Sequence, residues 1–225
     1  MASSSPAELR AFVRRNTRLL PVPGIPGMRL HQADDVAALS GLAARELGDP
    51  DPDLPYWAFP WAGGLAVARY LADHPEEVAG RRVLDVASGS GLCAIVALKL
   101  GATSALAVDI DPLSEAAVEV NARANGVRIG FSRRDLLDTP PPPCDVILAG
   151  DVCYQQTMAS RMLDWLRPAA ESGIRVLIGD PGRTYLPPGL VRLAVYRVQT
   201  SHELENEETR ESAVFTFGPD QRPEK

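Results

Sequence analysis

Five short apolar segments in the middle of the chain limit the folds that this sequence can adopt. Each has the length and composition of a buried strand, and they span 82–86, 105–109, 127–131, 145–149 and 175–179. Apolar residues recur at helical spacing in the stretches between or before most of them, over 61–72, 89–100, 111–125 and 155–166. Strands that alternate with helices in this way predict a Rossmann-like, doubly wound α/β sheet of mostly parallel strands.

The C-terminal part departs from this repeat. Segments 190–198 and 212–217 have strand character, and no helical pattern separates them. Parallel strands need a long crossover, whereas antiparallel neighbours do not. The sequence therefore predicts an antiparallel C-terminal hairpin at one edge, which completes a seven-stranded sheet.

The N-terminal part is predicted to be a separate extension. Helical periodicity is present over 7–20 and 34–47, and a cluster of proline and glycine at 21–27 interrupts it. We therefore expect a helical N-terminal extension over 1–55 and the α/β domain over 56–225.

Charge and composition exclude several classes of function. The chain carries 23 basic and 29 acidic side chains, and a net charge of −6 disfavours binding to nucleic-acid phosphates. No apolar run is long enough for a membrane span, and no signal-type leader opens the chain, so we expect a cytoplasmic protein. Three scattered cysteines and three scattered histidines predict neither a disulfide framework nor a metal site.

A loop of small residues follows the first of the five strands. From Asp85 to Gly91 it reads Asp-Val-Ala-Ser-Gly-Ser-Gly, so a ligand can approach the backbone and the N–H groups of the next helix. Asp109 ends the second strand, where a carboxylate can accept both hydroxyls of a ribose. Loop and acid together predict a site for an adenosine-containing cofactor. The alternative is a tight turn with a helix-capping aspartate.

The identity of the cofactor depends on Asp85. Residues 89–94 also satisfy the dinucleotide fingerprint, with alanine in the last place. A carboxylate at the mouth of the loop would repel a pyrophosphate but attract an ammonium or a sulfonium. S-adenosylmethionine carries both cations and no phosphate, so we expect this methyl donor.

Further motifs support that expectation. The loop and Asp109 resemble the cofactor motifs of class I S-adenosylmethionine-dependent methyltransferases, with Ala87 where the usual pattern has its first glycine. The fourth strand continues into Asp-Val-Cys-Tyr at 151–154, which matches the D-x-x-Y signature of a group of protein lysine methyltransferases. Together with 56–64 and the Gly-Asp-Pro-Gly-Arg of 179–183, these motifs resemble the family of electron-transfer flavoprotein β-subunit lysine methyltransferases, bacterial relatives included.

The resemblance implies a set of cofactor contacts. Leu136 corresponds to the adenine side, and Asp109 to the ribose. The complete predicted set, with Asp85 and Gly91 of the loop, is Trp61, Asp85, Ala87, Ser88, Gly89, Gly91, Asp109, Leu136 and Ala149. Trp61 could equally be a core aromatic residue under the N-terminal extension.

Asp151 and Tyr154 are the predicted catalytic residues. A lysine amine must be neutral to react, and a carboxylate would orient it and stabilise the positive charge that develops on nitrogen. Tyr154 would lie on the same face and line a lysine channel if the chain turns helical there. Alternatively, Asp151 caps the helix that begins near Gln155, and Tyr154 only packs. Asp180 and Arg183 form either a lip of the site or a simple turn.

We expect a bacterial protein-lysine methyltransferase that acts on the electron-transfer flavoprotein β subunit. The sequence leaves the oligomeric state open, with a monomer favoured. Two alternatives remain at this point: a methyltransferase of another acceptor, such as a ribosomal-protein lysine or a small amine, and a non-catalytic nucleotide-binding domain. The negative charge of the chain predicts that the substrate presents its lysine from a basic, exposed segment.

Overall fold

The computed structural model describes residues 4–48, 54–200 and 209–218. Its N-terminal part contains α1 (Pro6–Asn16), β1 (Arg18–Pro21), β2 (Arg29–Gln32) and α2 (Val36–Leu47). A seven-stranded sheet follows, formed by β3 (Arg82–Val86), β4 (Ser104–Val108), β5 (Gly130–Ser132), β6 (Val146–Gly150), β7 (Arg175–Asp180), β8 (Leu190–Gln199) and β9 (Thr209–Phe217). The remaining α-helices are α3 (Ala62–Asp73), α4 (Leu92–Lys99), α5 (Pro112–Ala124) and α6 (Gln156–Glu171).

The sheet confirms the predicted fold class. Its order is β5-β4-β3-β6-β7-β9-β8, in which β5, β4, β3, β6 and β7 are parallel neighbours. The C-terminal hairpin lies at one edge as predicted, and β9 pairs antiparallel to both β7 and β8. Because the strand order reverses between β3 and β6, a crevice is expected where these two strands end.

Helices cover both faces of the sheet. On one face, α3 and α4 bury residues such as Leu65 and Ile95. On the other, α6 buries Met162 and Leu166. The prediction for the start of α5 is confirmed, since the Leu113 amide donates to the Asp111 side chain at 2.7 Å and Pro112 occupies the first turn. Within the described ranges, no helix combines the length and apolar character needed to cross a bilayer.

The N-terminal extension differs from the prediction at one place. The helix predicted to run to Leu20 ends at Asn16, and β1 pairs antiparallel with β2. Thr17 is already extended and its hydroxyl donates to the Val13 carbonyl at 2.5 Å, which closes the helix. Periodicity alone could not reveal the hairpin, because its stability comes from burying Met28 and Leu30 against the main domain.

The extension packs closely on the α/β domain. Phe12 and Val13 of α1 are buried against Ala117 and Val120 of α5. An ion pair of 2.8 Å joins Arg10 to Glu119 on the same two helices. The division at residue 55 therefore remains an interpretation of the sequence, since the two parts share hydrophobic cores.

Candidate active site

A cavity of about 470 Å³ opens at the carboxyl ends of β3, β4 and β6. This is the crevice expected from the reversal of strand order, and its volume suits a nucleoside-sized ligand. Most of the predicted site residues line it, namely Trp61, Asp85, Ala87, Ser88, Gly89, Asp109, Leu136, Asp151 and Tyr154. One cavity therefore contains most of the predicted cofactor residues and the predicted catalytic pair.

The loop after β3 exposes its backbone to the cavity. Ala87 has a φ of 51° and Gly89 a φ of 50°, so both residues occupy the left-handed region. Ala87 stands where the usual pattern has a glycine, and its backbone still adopts the left-handed conformation that glycine adopts more easily. Ser88 lines the cavity, and its buried hydroxyl has no hydrogen-bond partner among the described residues. A polar group of a bound cofactor would satisfy it.

Asp109 connects this loop to the turn after β4. Its Oδ2 accepts a hydrogen bond from the Gly89 amide at 2.8 Å, and its Oδ1 accepts one from the Asp111 amide at 3.0 Å. Burial raises the pKa of Asp109, and these amide donors oppose the shift. The Ser114 side chain and the Ile110 amide also favour its ionised form, and the residue lines the cavity.

Asp85 lies deeper than the sequence suggested. It belongs to β3, is only 2% exposed, and lines the cavity from beneath the loop instead of standing at its mouth. Its Oδ2 accepts a hydrogen bond from the Ala94 amide at 3.0 Å. Burial raises the pKa of Asp85 to about 8, with a further contribution from the nearby charge of Asp109. The carboxyl is therefore mostly protonated at neutral pH in the free protein, and an approaching cation would favour its ionised form.

Two predicted cofactor residues do not line the cavity. Gly91 has a φ of 77°, and a Cβ there would lie 3.0 Å from a methyl group of Val118, so glycine is needed for packing against α5. Ala149 is fully buried in the core beneath α6, and the next residue, Gly150, lines the cavity in its place. Successive residues of a strand face opposite sides of the sheet, so Ala149 faces the core while the next residue, Gly150, reaches the cavity.

Asp151 occupies a tight turn directly after β6. Its φ is 55°, and its amide donates to the Gly179 carbonyl at 2.8 Å. Its Oδ2 accepts a hydrogen bond from the Gly64 amide in the first turn of α3 at 2.8 Å. Trp61, the N-cap residue of α3, makes no side-chain capping bond, so Asp151 caps α3 from another part of the chain. The alternative that Asp151 caps α6 is wrong, because Gln155 is the N-cap residue of that helix.

Glycines allow α3 to approach Asp151 this closely. A Cβ on Gly63 would lie 2.2 Å from the Gly179 carbonyl oxygen and 2.7 Å from Oδ2 of Asp151. A Cβ on Gly150 would lie 2.9 Å from the Gly64 Cα. The sequence analysis missed this role, although paired glycines inside a helical pattern are a signal of close backbone approach.

Tyr154 reaches the cavity from the same turn. Residues 151–155 are not helical, so the helical geometry predicted for the pair is wrong, but both side chains line the cavity. The Tyr154 ring lies 5.3 Å from the Tyr56 ring, which lies 5.5 Å from the ring of Trp61. Trp61 Nε1 also donates to the Tyr56 carbonyl at 2.9 Å. Tyr56 is thus a wall residue that was not predicted.

Trp61 was also considered as a core aromatic residue under the N-terminal extension, but a different tryptophan occupies that position. Trp57 is fully buried, and its ring lies 6.5 Å from Phe12 of α1. Trp61, by contrast, is half-buried and lines the cavity. The core aromatic residue under the extension is therefore Trp57.

Asp180 and Arg183 form a structured lip next to Asp151. Asp180 ends β7 and is fully buried, and its Oδ1 accepts hydrogen bonds from the amides of Gly182 and Arg183 at 2.7 Å each. Burial raises the pKa of Asp180. Arg183 lines the cavity, and its Nη2 lies 3.3 Å from Oδ1 of Asp151. The turn predicted for Asp180 and Arg183 therefore also forms the predicted lip of the cavity.

The buried cysteines next to the site are not poised for nucleophilic chemistry. Burial raises the pKa of Cys153 to about 12 and that of Cys93 well above its ordinary value. A thiol that stays protonated is a poor nucleophile. In the described ranges, His, Cys, Asp and Glu form no group of three that could hold a metal ion.

The fold and this site define the class of the protein. A doubly wound sheet with a small-residue loop after β3 and an acid after β4 is the arrangement of a class I S-adenosylmethionine-dependent methyltransferase. The cavity and the orphaned Ser88 hydroxyl fit that cofactor. A solved structure of a proposed RNA methyltransferase from Pyrococcus horikoshii shares the fold, with a TM-score of 0.51 and 15% identity over 74% of this chain and 90% of that chain.

Sequence comparison narrows the class to a family. The family model of ribosomal protein L11 methyltransferase (PrmA) matches residues 71–152. The electron transfer flavoprotein beta subunit lysine methyltransferase of Xenopus laevis is 39% identical over 172 residues, which are 73% of this chain and 70% of that protein. Its counterpart from Rattus norvegicus is 38% identical over 73% of this chain and 68% of that protein. This chain belongs to the family of electron transfer flavoprotein beta subunit lysine methyltransferases, which confirms the resemblance drawn from its motifs.

Proposed function

We propose that this chain transfers methyl groups from S-adenosylmethionine to lysine side chains of the electron-transfer flavoprotein β subunit. The observation that carries the proposal is the position of Asp151 and Tyr154 in the same cavity as the loop after β3. Methyl transfer from a sulfonium is an in-line displacement, so donor and acceptor must meet in one pocket. Membership of the family supports the choice of acceptor.

The cofactor would be held at the end of the cavity formed by β3 and β4. We assign the loop backbone of Ala87 and Gly89 and the Ser88 hydroxyl to its polar contacts, and Asp109 to the ribose. Leu136 is assigned to the adenine side, and Trp61 to the wall beside the cofactor. Bound S-adenosylmethionine supplies an electrophilic methyl group on its sulfonium.

Asp85 would serve the charged end of the cofactor. Its buried carboxyl lines the cavity beneath the loop, close enough to Asp109 for the two charges to interact. A cation bound there would offset the cost of ionising a buried carboxyl. Asp85 thus keeps its predicted role of attracting the cations of the cofactor, but its carboxyl would ionise only when the cofactor binds.

The acceptor lysine would enter past Asp151 and the aromatic wall. Asp151 lines the cavity, and its carboxylate would accept a hydrogen bond from the amine and stabilise the charge that develops on nitrogen. The cofactor would supply the methyl group and keep the electron pair of the broken C–S bond on sulfur. Asp151 and Tyr154 would hold the neutral amine whose lone pair forms the C–N bond, and the product ammonium would release its proton to solvent. Tyr154 and Tyr56 would shield the amine from water, which favours its neutral form.

A ribosomal-protein lysine is the second candidate acceptor. The matching model of ribosomal protein L11 methyltransferase covers residues 71–152, which include the loop, Asp109 and Asp151. The match stops before Tyr154 and the lip at 180–183, where the acceptor side is completed. The match to this family model therefore supports the choice of S-adenosylmethionine as cofactor more than the choice of a ribosomal-protein lysine as acceptor.

We further propose that the enzyme works as a monomer in the bacterial cytoplasm, on a protein and not on nucleic acid or a membrane. The net charge of −6 supports the exclusion of nucleic acid. The three cysteines are free thiols, which suits a reducing compartment.

The proposed function is tested by incubating the chain with labelled S-adenosylmethionine and recombinant electron-transfer flavoprotein β subunit. We expect label on the flavoprotein, in increments of one methyl mass, located to lysine by peptide mass spectrometry. Ribosomal protein L11 in a parallel reaction tests the second candidate, and free lysine tests a small-amine acceptor. Calorimetry with S-adenosylhomocysteine and NAD decides the cofactor. Label on L11 alone would contradict the acceptor, and binding of NAD without S-adenosylhomocysteine would contradict methyl transfer.

A further inference from the structure

We propose that Arg183 is a positioning residue, which fixes the Asp151 carboxylate in its ionised form and keeps the neighbouring target amine uncharged. The proposal rests on the proposed function, because it concerns the lysine that Asp151 would receive. Arg183 Nη2 lies 3.3 Å from Asp151 Oδ1, and the two side chains are only 21% and 11% exposed. Both residues line the cavity.

The turn after β7 holds Arg183 in place. Oδ1 of the buried Asp180 accepts hydrogen bonds from the Gly182 and Arg183 amides at 2.7 Å each. Gly182 has a φ of 82°, a conformation that glycine adopts readily, so the chain reverses within this turn. The guanidinium is thereby directed from a rigid strand end toward Asp151, not from a flexible surface loop.

The opposite side of Asp151 is fixed by backbone. The Gly64 amide donates to Oδ2 at 2.8 Å, and the Asp151 amide is bonded to the Gly179 carbonyl at 2.8 Å. The first turn of α3 and the lip after β7 therefore hold one carboxylate oxygen each. A carboxylate held from both sides can face the cavity in one orientation.

Charge gives Arg183 its second effect. A guanidinium is protonated at every pH at which the enzyme works, so it is a permanent positive charge. Alone, Asp151 would stabilise the ammonium form of a bound lysine, which has no lone pair with which to react. A cation paired with that carboxylate weakens this stabilisation, and the lysine loses its proton at lower pH.

Other ionisable groups lie around Asp151 and Arg183, and their charges must not change with the substitution that is tested. They are Cys93 of α4, Cys153 and Tyr154 of the same turn, Asp180 of β7, Arg210 of β9, and Asp85 and Asp109 across the cavity. Burial raises the pKa of Cys93, and that of Cys153 to about 12, so both thiols stay neutral through the range of the assay.

The test compares Arg183→Gln and Arg183→Lys with the wild type between pH 6.5 and 10, with the recombinant flavoprotein β subunit as acceptor. We expect kcat, measured at saturating flavoprotein, to fall about tenfold in Arg183→Gln at pH 7.5 and to recover toward pH 10, because kcat reports the ionisation of the bound lysine and its alkaline rise moves up by about one pH unit. Arg183→Lys keeps a positive charge and should retain most of the wild-type profile. Arg128→Gln, an exposed arginine before β5, is the matched control and should change nothing.

A second measurement does not depend on the acceptor. In ¹³C-carboxyl NMR, with Asp151→Asn used to assign the signal, Asp151 should titrate at least about one pH unit higher in Arg183→Gln than in the wild type. A folded Arg183→Gln protein with an unmoved carboxyl titration, or with a uniform loss of rate at all pH values, would overturn the proposal. If the wild type does not label the flavoprotein, the proposed function fails, and the NMR titration still decides the role of Arg183.

Discussion

The neighbouring strands β3 and β6 end in turns of similar backbone geometry but different chemistry. Ala87 after β3 and Asp151 after β6 have φ values of 51° and 55°, and they are the non-glycine residues with positive φ in the described part of the chain. The first turn contains small residues and offers backbone groups to a ligand. The second carries a carboxylate that Gly64 and Arg183 hold in place. Similar turns at adjacent strand ends thus separate cofactor binding from acceptor chemistry.

The two turns also differ in what supports them. The loop after β3 is hydrogen-bonded by the next strand, by Asp109 and by Asn121 of α5, which lie 20 to 31 residues further along the chain. Asp151 is stabilised by groups that are 87 and 32 residues away in the sequence. A strained position after a strand is expected at functional sites, and here the surrounding fold fixes the second one more than local sequence does.

The largest predicted effect breaks the cofactor side. Asp109→Ala removes the carboxylate assigned to the ribose, together with the bond from the Gly89 amide. Two charge-assisted hydrogen bonds are each worth about 1.5–3 kcal/mol, so we expect S-adenosylhomocysteine to bind ~10²-fold or more weakly in calorimetry. Asp145→Ala, which changes an exposed aspartate at the other end of the sheet, should alter the affinity less than twofold. Equal affinities in both variants would remove Asp109 from the site.

The second prediction concerns the support of Asp151 by α3. In Gly63→Ala, the new Cβ would lie 2.2 Å from a backbone oxygen of β7, so the helix must shift. We expect the free energy of unfolding to fall by about 3 kcal/mol, the scale of severe overpacking. In the adjacent Gly64→Ala the Cβ meets nothing within 4 Å, so stability should be unchanged or up to about 1 kcal/mol higher. Denaturant unfolding of both variants measures this, and equal losses would contradict the close contact.

The third prediction follows from the pKa of Asp85. Burial raises the folded-state pKa of Asp85 to about 8, so between about pH 4 and pH 8 the folded protein holds a proton that the unfolded chain has released. The stability of the cofactor-free protein should therefore fall as pH rises through this window. We expect a wild-type decrease of ~3 kcal/mol between pH 5.5 and pH 8 that Asp85→Asn lacks. Parallel stability curves for the two proteins would show that Asp85 does not titrate in this range.

The smallest predicted effect is electrostatic attraction of the substrate. The chain has a net charge of −6, so a lysine presented from a basic segment should arrive faster at low salt. Between 0.05 and 0.3 M salt we expect KM for the flavoprotein to rise about threefold while kcat changes little. A KM that does not depend on salt would show that charge does not contribute to the recognition of the flavoprotein.

The comparison of the two turns also explains what the sequence could predict. The loop after β3, Asp109 and the cap of α5 all lie within 85–112, and their residue types alone indicated them. The anchoring of Asp151 needed α3 and the lip after β7, which only the folded chain brings together. The sequence pattern did not show that Gly91 packs closely on α5 or that the Ala149 side chain lies in the core. The hairpin of β1 and β2 was missed because tertiary burial, not local periodicity, stabilises it.

The most direct test of this division of labour is Asp151→Asn, measured for methyl transfer to the flavoprotein and for binding of S-adenosylhomocysteine. Asparagine tolerates positive φ and keeps an oxygen for the Gly64 amide, so the fold should survive. We predict that kcat falls ~10²-fold or more, the scale of one lost electrostatic contact to a transition state, while the affinity for S-adenosylhomocysteine stays within about threefold of the wild type. A folded variant with near-normal turnover, or one that loses cofactor affinity and turnover together, would contradict the separation of the two turns.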